Sequence, residues 1–325
     1  MPEGPGFSSG RSGKRMNKTQ VMYMGNWIKK NGVTLLLVAV MLVGAGFISY
    51  PTFSDWWNSF HQSRAVASYV ETVNQMDPAE TERLLREAEE YNRSLAENQN
   101  QWTLTEAQKE AYPRLLSMNG SDIMGYITID RIGIKLPIHH TTDESVLQVA
   151  VGHLEESSLP VGGPGTHCVV SGHRGLPSAR LFTDIDKLVE GDRFTLSVFG
   201  RNMTYEVNQI VTVLPTEVQE LLIVPGKDYC TLVTCTPYGI NTHRLLIRGE
   251  RVEDVPVTEE EEVNTETEAA PEPSGWQLPV PVFVAAPIAT VGLLLLIFII
   301  RALMSLSGRK RSGKNDKEHR QEDIR

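Results

Sequence analysis

The sequence predicts a mainly β domain, a closed barrel or a sandwich of short strands, preceded by a helical segment and flanked by two transmembrane helices. Three observations carry that expectation. Two long stretches contain no charged residue, and apolar side chains recur at helical spacing over residues 55–118. From about residue 122 the pattern shifts to short apolar runs punctuated by Gly and Pro.

The first uncharged stretch is the 24 residues between Lys30 and Asp55, and the second is the 28 residues between Glu272 and Arg301. About 20 apolar residues in a helix cross a bilayer, so spans are expected at 31–53 and 278–300. The first run is longer than the apolar core of a signal peptide and reaches Tyr50-Pro51 without a small-x-small cleavage site, so a retained anchor is expected. Charge then orients the chain. The tail of residues 1–30 holds six Lys or Arg against Glu3 alone, and the tail of residues 301–325 holds eight against four acids. The region between them carries 35 acids and 17 bases. Basic flanks stay in the cytoplasm, so both tails are expected inside, touching anionic membrane lipid, and residues 51–275 outside. The acidic ectodomain argues against a nucleic-acid partner.

Within the ectodomain, residues 55–118 read as helical. Val66, Tyr69, Val70, Val73 and Met76 form one apolar stripe; Leu84, Leu85, Ala88, Tyr91 and Leu95 form a second. Between them Asp77-Pro78, with Glu80 at the third helical position, reads as an N-cap and capping box. Residues 120–252 make the β domain. Strands are expected at 124–130, 132–138, 167–171, 193–199, 203–213, 229–234 and 243–249, with helical pieces at 144–150 and 179–188. Residues 253–275 contain four consecutive glutamates and Pro271-Glu272-Pro273, the composition of a self-repelling, disordered acidic linker.

The chemistry concentrates in a few residues. In the strand reading, Thr231, Val233 and Cys235 project to one face and Cys230, Leu232 and Thr234 to the other. Cys235 ends its strand just before Thr236-Pro237-Tyr238-Gly239, which reads as a turn. Arg244 opens the next strand, so a hairpin would set it beside Cys235. His173 likewise follows a strand, after Ser171-Gly172. A thiol, an imidazole and a permanent cation are three parts of an acyl-transfer site: the thiol needs help to ionise, and the cation can stabilise a developing oxyanion. His243 points to the opposite strand face from Arg244. Cys168 and Cys230 form either a disulfide or two buried thiols. The cysteines and histidines lack metal-ligand spacing, and neither a metal nor a cofactor is expected.

The flanks of these residues carry a resemblance. Ser171-Gly172-His173-Arg174-Gly175-Leu176-Pro177-Ser178-Ala179, and Thr231-Leu232-Val233-Thr234-Cys235 continuing through Thr236-Pro237-Tyr238-Gly239-Ile240-Asn241-Thr242-His243-Arg244, resemble the sortases, cysteine transpeptidases of Gram-positive surfaces. They are most similar to the class C, pilus-assembling branch, over about residues 60–252. The resemblance implies an eight-stranded sortase-type β-barrel with Cys235 as nucleophile, His173 as general acid/base and Arg244 as oxyanion or substrate-positioning cation. It implies cleavage of a Leu-Pro-x-Thr-Gly-like sorting signal of a pilin or surface protein after Thr, through a thioester. A pilin lysine or a cell-wall peptide amine would resolve that thioester. Thr234 and His140 are weaker pocket candidates.

Class C sortases carry a lid with an Asp-Pro-aromatic motif before the barrel. Here Asp77-Pro78 precedes Ala79 at a helix start and is a cap. In the stretch expected for the lid stands Gln99-Asn100-Gln101-Trp102-Thr103-Leu104, making Trp102 the lid candidate, without the acid-proline anchor. The expectation is a weakened or differently held lid. Two rival functions remain. One is a surface cysteine peptidase in which water resolves the acyl-enzyme. The other is a wall-anchored structural protein, against which Leu278-Pro279-Val280-Pro281 lacks the Thr-Gly that cleavage needs.

Overall fold

The computed structural model describes residues 18–118 and 120–252, and beyond them residue 292 alone. The expected second span, the acidic linker and the C-terminal tail lie outside the described residues. The chain divides into two compact units, residues 1–49 with 279–325, and residues 50–278. Helix α1 runs from Lys18 to Asn74 and continues through Pro51, so the helix does not end at residue 53 as expected. No glycine or second proline interrupts residues 52–74. Among the described residues, the stretch Asn31–Asn74 is the one long and apolar enough to cross a membrane, with a mean hydropathy of 2.3 in its most apolar window.

In the larger unit, both apolar stripes do what their spacing predicts. Val66 and Tyr69 of α1 are buried, and Val70, Val73 and Met76 pack beside them. Helix α2 (Pro78–Ala96) buries Leu84, Leu85, Ala88, Tyr91 and Leu95. Asp77 caps α2 by accepting from the Ala79 N–H at 2.9 Å, with Pro78 in the first turn. Glu80 does not close a capping box; its carboxylate pairs with Arg83 one turn on. A reciprocal box forms instead at α3 (Glu106–Ala111), between Thr105 and Gln108. Residues 97–104 between these helices are a loop, where continuous helix was expected.

The remaining chain closes an eight-stranded barrel in the order β1-β2-β3-β4-β7-β8-β6-β5. The strands are β1 (Ile123–Ile129), β2 (Ile134–His139), β3 (Val151–His153), β4 (Thr166–Ser171), β5 (Arg193–Val198), β6 (Arg201–Val213), β7 (Asp228–Thr236) and β8 (His243–Arg251). Seven match the segments expected from alternation. The eighth, β3, is three residues long, too short to show a period, and pairs parallel to β2. Of the expected helical pieces, 144–150 shrinks to a single turn, α4 (Glu144–Leu147). Residues 179–188 keep only a 3₁₀ turn at Ile185–Lys187, which corrects the expectation there. Distant elements hold this segment in place. The Arg180 N–H is taken by the Asp55 carboxylate of α1 at 2.8 Å and the Phe182 N–H by the His173 carbonyl at 3.2 Å.

Tyr69 joins α1 to the barrel. Its buried hydroxyl donates to the Met124 carbonyl at 2.8 Å and accepts from the Phe199 N–H at 2.9 Å. Burial pushes this phenol well above its ordinary pKa, so it stays a neutral donor. Tyr69→Phe strands both backbone groups and should lower stability by about 1–3 kcal/mol, read as a fall in the thermal midpoint at unchanged far-UV circular dichroism.

Candidate active site

Cys235 is the next-to-last residue of β7, half-buried, and pairs directly across the β7–β8 ladder with Arg244. The face assignment made from alternation holds. Cys230 and Leu232 lie in the barrel core, while Val233 packs against an outer cluster of Val169, Leu221 and Leu246. Cys168 and Cys230 are free, fully buried thiols on facing rungs of β4 and β7.

His173 reaches Cys235 through the parallel pairing of β4 with β7, whose six rungs run from Thr166↔Asp228 to Ser171↔Val233. Past the last rung, single bonds extend the register. The Gly172 N–H donates to the Val233 carbonyl at 3.0 Å, and the buried Thr234 hydroxyl donates to the Gly172 carbonyl at 2.7 Å. Arg174 Nη1 donates to Thr236 Oγ1 at 3.3 Å. His173 therefore stands between two tethers, 172–234 and 174–236, level with Cys235. Gly172 is required here because a Cβ would lie 2.7 Å from the buried Phe182 ring. Arg174 is anchored in turn by Asp186. His173 Nε2 is shielded and has no hydrogen-bond partner among the described residues; the Glu144 carboxylate lies 3.7 Å away.

A groove of about 490 Å³ runs up to this rung. Val169, Val233 and Leu246 line it from the barrel, Val213 and Leu221 from the β6–β7 side, and Arg244 at its end. Arg244 Nη1 donates to the carbonyls of Asn241 and His243 at 3.3 and 3.1 Å. Trp102 also lines the groove and packs against the Val169–Leu221–Leu246 cluster. Beside it, buried Gln101 clamps the β6–β7 loop: its Oε1 accepts from the Ile223 N–H at 2.8 Å and its Nε2 donates to the Leu221 carbonyl at 3.3 Å.

The weaker candidates separate. Thr234 acts on the loop that carries His173, as described. His140 is buried away from the groove, with its ring nitrogens 3.1 and 2.8 Å from the carbonyls of Asp122 and Leu115, a structural position. His243 Nδ1 lies 2.9 Å from the Thr242 hydroxyl. Sequence reasoning missed Gln101, Glu144 and Arg174. Arg174, inside the quoted His173 motif, and Gln101, beside Trp102 in the lid stretch, had a visible signal; Glu144 had none. Among the described residues no group of His, Cys, Asp and Glu could hold a metal ion.

A closed mixed barrel that brings a strand-end cysteine, a histidine and an arginine together defines a cysteine-dependent enzyme of the acyl-transfer type. The model of the Sortase domain matches residues 127–252. The sortase C1 structure of Streptococcus agalactiae is 49% identical and superposes with a TM-score of 0.58, over 59% of this chain and 100% of that one. Sortase C of Streptococcus pneumoniae, a structure described in terms of catalysis and pilin substrate specificity, is 42% identical with a TM-score of 0.53, over 58% and 97% of the two chains. Sortase C of Clostridium perfringens, solved with the C-terminal cell wall sorting motif, is 43% identical with a TM-score of 0.53, over 59% and 99%. The chain belongs to the sortase family, in its class C branch, and is a cysteine transpeptidase.

A buried histidine makes the stability of the barrel depend on pH. His167, on β4, donates Nδ1–H to the Leu222 carbonyl at 2.9 Å and lies 2.7 Å from the Thr231 hydroxyl through Nε2. Burial lowers its pKa to about 4. A lowered folded-state pKa means the unfolded chain binds the proton first, so stability is full above about pH 6.5 and is lost as pH falls toward 4. The loss should reach up to about 3 kcal/mol, and His167→Gln should flatten that part of the stability–pH curve measured by denaturant unfolding.

Proposed function

We propose that the enzyme cleaves a Leu-Pro-x-Thr-Gly-like sorting signal after Thr and transfers the acyl group to a pilin lysine or a cell-wall peptide amine. In this reading it is anchored by its apolar helices with the barrel outside a Gram-positive cell. The observation that carries the proposal is the Cys235–Arg244 rung with His173 tethered level to it. Similarity to sortase C structures, one solved with a sorting motif and one described for pilin specificity, supports the substrate class.

The Cys235 thiolate attacks the Thr carbonyl, forming a C–S bond while negative charge develops on the oxygen. Arg244, directly across the ladder, stabilises that oxyanion. His173 donates a proton to the departing Gly amine as the C–N bond breaks, leaving a thioester and a neutral imidazole. The acceptor amine then adds, His173 takes its proton, and Cys235 leaves as thiolate. The apolar groove leading up to Val233 and Arg244 suits the Leu-Pro side of the signal. Trp102, on the groove wall, acts as an aromatic lid over it, and the Gln101 clamp replaces the missing acid-proline anchor. The peptidase rival differs only in the nucleophile that resolves the thioester, and a competing amine distinguishes them.

Incubation of the enzyme with a sorting-signal peptide and an amine should give a thioester on Cys235 and a ligated product by mass spectrometry, both lost in Cys235→Ala; hydrolysis without ligation would favour the peptidase. Trp102→Ala and Gln101→Ala should each raise the rate at which a thiol reagent labels Cys235. Unchanged labelling in both would sink the lid.

A further inference from the structure

We infer that Glu144 is the docking carboxylate for a cationic acceptor amine, a side-chain ammonium such as that of lysine. The inference rests on the transpeptidase reading and adds the residue that recruits the second substrate. Three observations lead to it. First, His173 Nε2 is shielded yet has no hydrogen-bond partner among the described residues, so its bonding capacity is open to a reacting group. Second, the carboxylate in ion-pair range of that nitrogen belongs to Glu144, at 3.7 Å, with 73% of the Glu144 side chain exposed. Its other oxygen is oriented by Gln148. Third, the site's two arginines have fixed duties. Arg174 pairs with Asp186, and Arg244 bonds nearby carbonyls at the end of the groove.

The layout divides the two substrates. The groove that ends at Arg244 includes neither His173 nor Glu144 in its lining, so a peptide there leaves the Glu144 side open. The surroundings of that side are acidic. Asp143 precedes Glu144, and Glu155 lies close enough to Asp143 and to Glu156, which itself lines the groove, for their charges to raise its carboxyl pKa, after burial as the larger cause. An ammonium is favoured in such a field, and an uncharged amine gains nothing from it.

The proton accounting closes. An ammonium held by Glu144 loses one proton to solvent and becomes the free amine. Its nitrogen attacks the thioester carbonyl, forming the C–N bond. The second proton passes to the neutral imidazole of His173, the C–S bond breaks, and Cys235 departs as thiolate. The products are an amide, a thiolate and an imidazolium.

The test uses the full-length enzyme and Glu144→Gln, each first loaded with a sorting-signal peptide and checked for the thioester by mass spectrometry. Each acyl-enzyme is then chased with Nα-acetyl-lysine amide, a cation near neutral pH, or with hydroxylamine, which is uncharged there. The lysine rate constant should fall roughly fivefold in Glu144→Gln, the scale of one partly exposed ion pair, while the hydroxylamine rate changes less than about twofold. Equal losses with both nucleophiles would assign Glu144 to orienting His173 and overturn the inference, as would no loss with lysine. If the unsubstituted enzyme fails to form a thioester, the transpeptidase reading itself fails, and the two failures are told apart by the loading step.

Discussion

The parallel pairing of β4 with β7 is the constraint on which the site depends. A parallel pair cannot be closed by a short turn, and here the crossover runs through β5 and β6, so residues 62 apart in sequence meet at adjacent strand ends. Six rungs fix the axial register, and a slip by one residue would turn Cys235 into the core. The ladder stops before His173, and the Thr234 hydroxyl and the Arg174 guanidinium carry the alignment three residues further. The nucleophile's own neighbours therefore hold the histidine in place. That is an economical way to make two loops behave as one element.

Alternation along β7 also explains why its two cysteines have different surroundings. Cys230 points into the barrel, where burial pushes its thiol well above the ordinary value, and its rung partner Cys168 shares that interior. Cys235 comes five residues later on the outward face at the strand end, where substrate and Arg244 can reach it. Odd and even positions of one strand thus separate a packing thiol from a reactive one.

Much of this was legible in the sequence, because the relevant signals are local or carried by motifs. The two helical stripes, the Asp77 cap and seven strands follow from periodicity and capping chemistry that depend on nearby residues. The opposition of Cys235 and Arg244 follows from the hairpin that joins them. What escaped was set by distant partners. Strand β3 is too short to have a period and exists because β2 and β4 flank it. Residues 179–188 are instead tied to Asp55 of α1 and to the His173 carbonyl, distant partners that no local pattern announces. Glu144 reads as an exposed helix-start residue until the barrel carries His173 to it.

The groove shows the same limit, and its contacts define what a lid at this position could respond to. The absence of an acid-proline motif suggested a loosened lid, yet Gln101 bonds both the N–H of Ile223 and the carbonyl of Leu221, as a neighbouring strand would. The tip of the lid is self-braced. Asn98 bonds Gln108, Asn100 bonds Thr103, and the Thr105–Gln108 box fixes where the next helix begins. An amide clamp has no charge to titrate and no counterion to screen, so salt has little to act on at Gln101. Opening requires both bonds of Gln101 to be replaced by water and Trp102 to leave its apolar cluster. The cheapest agent for that exchange is another apolar side chain entering the groove. The apolar lining of the groove, and not charge, therefore sets what Trp102 responds to.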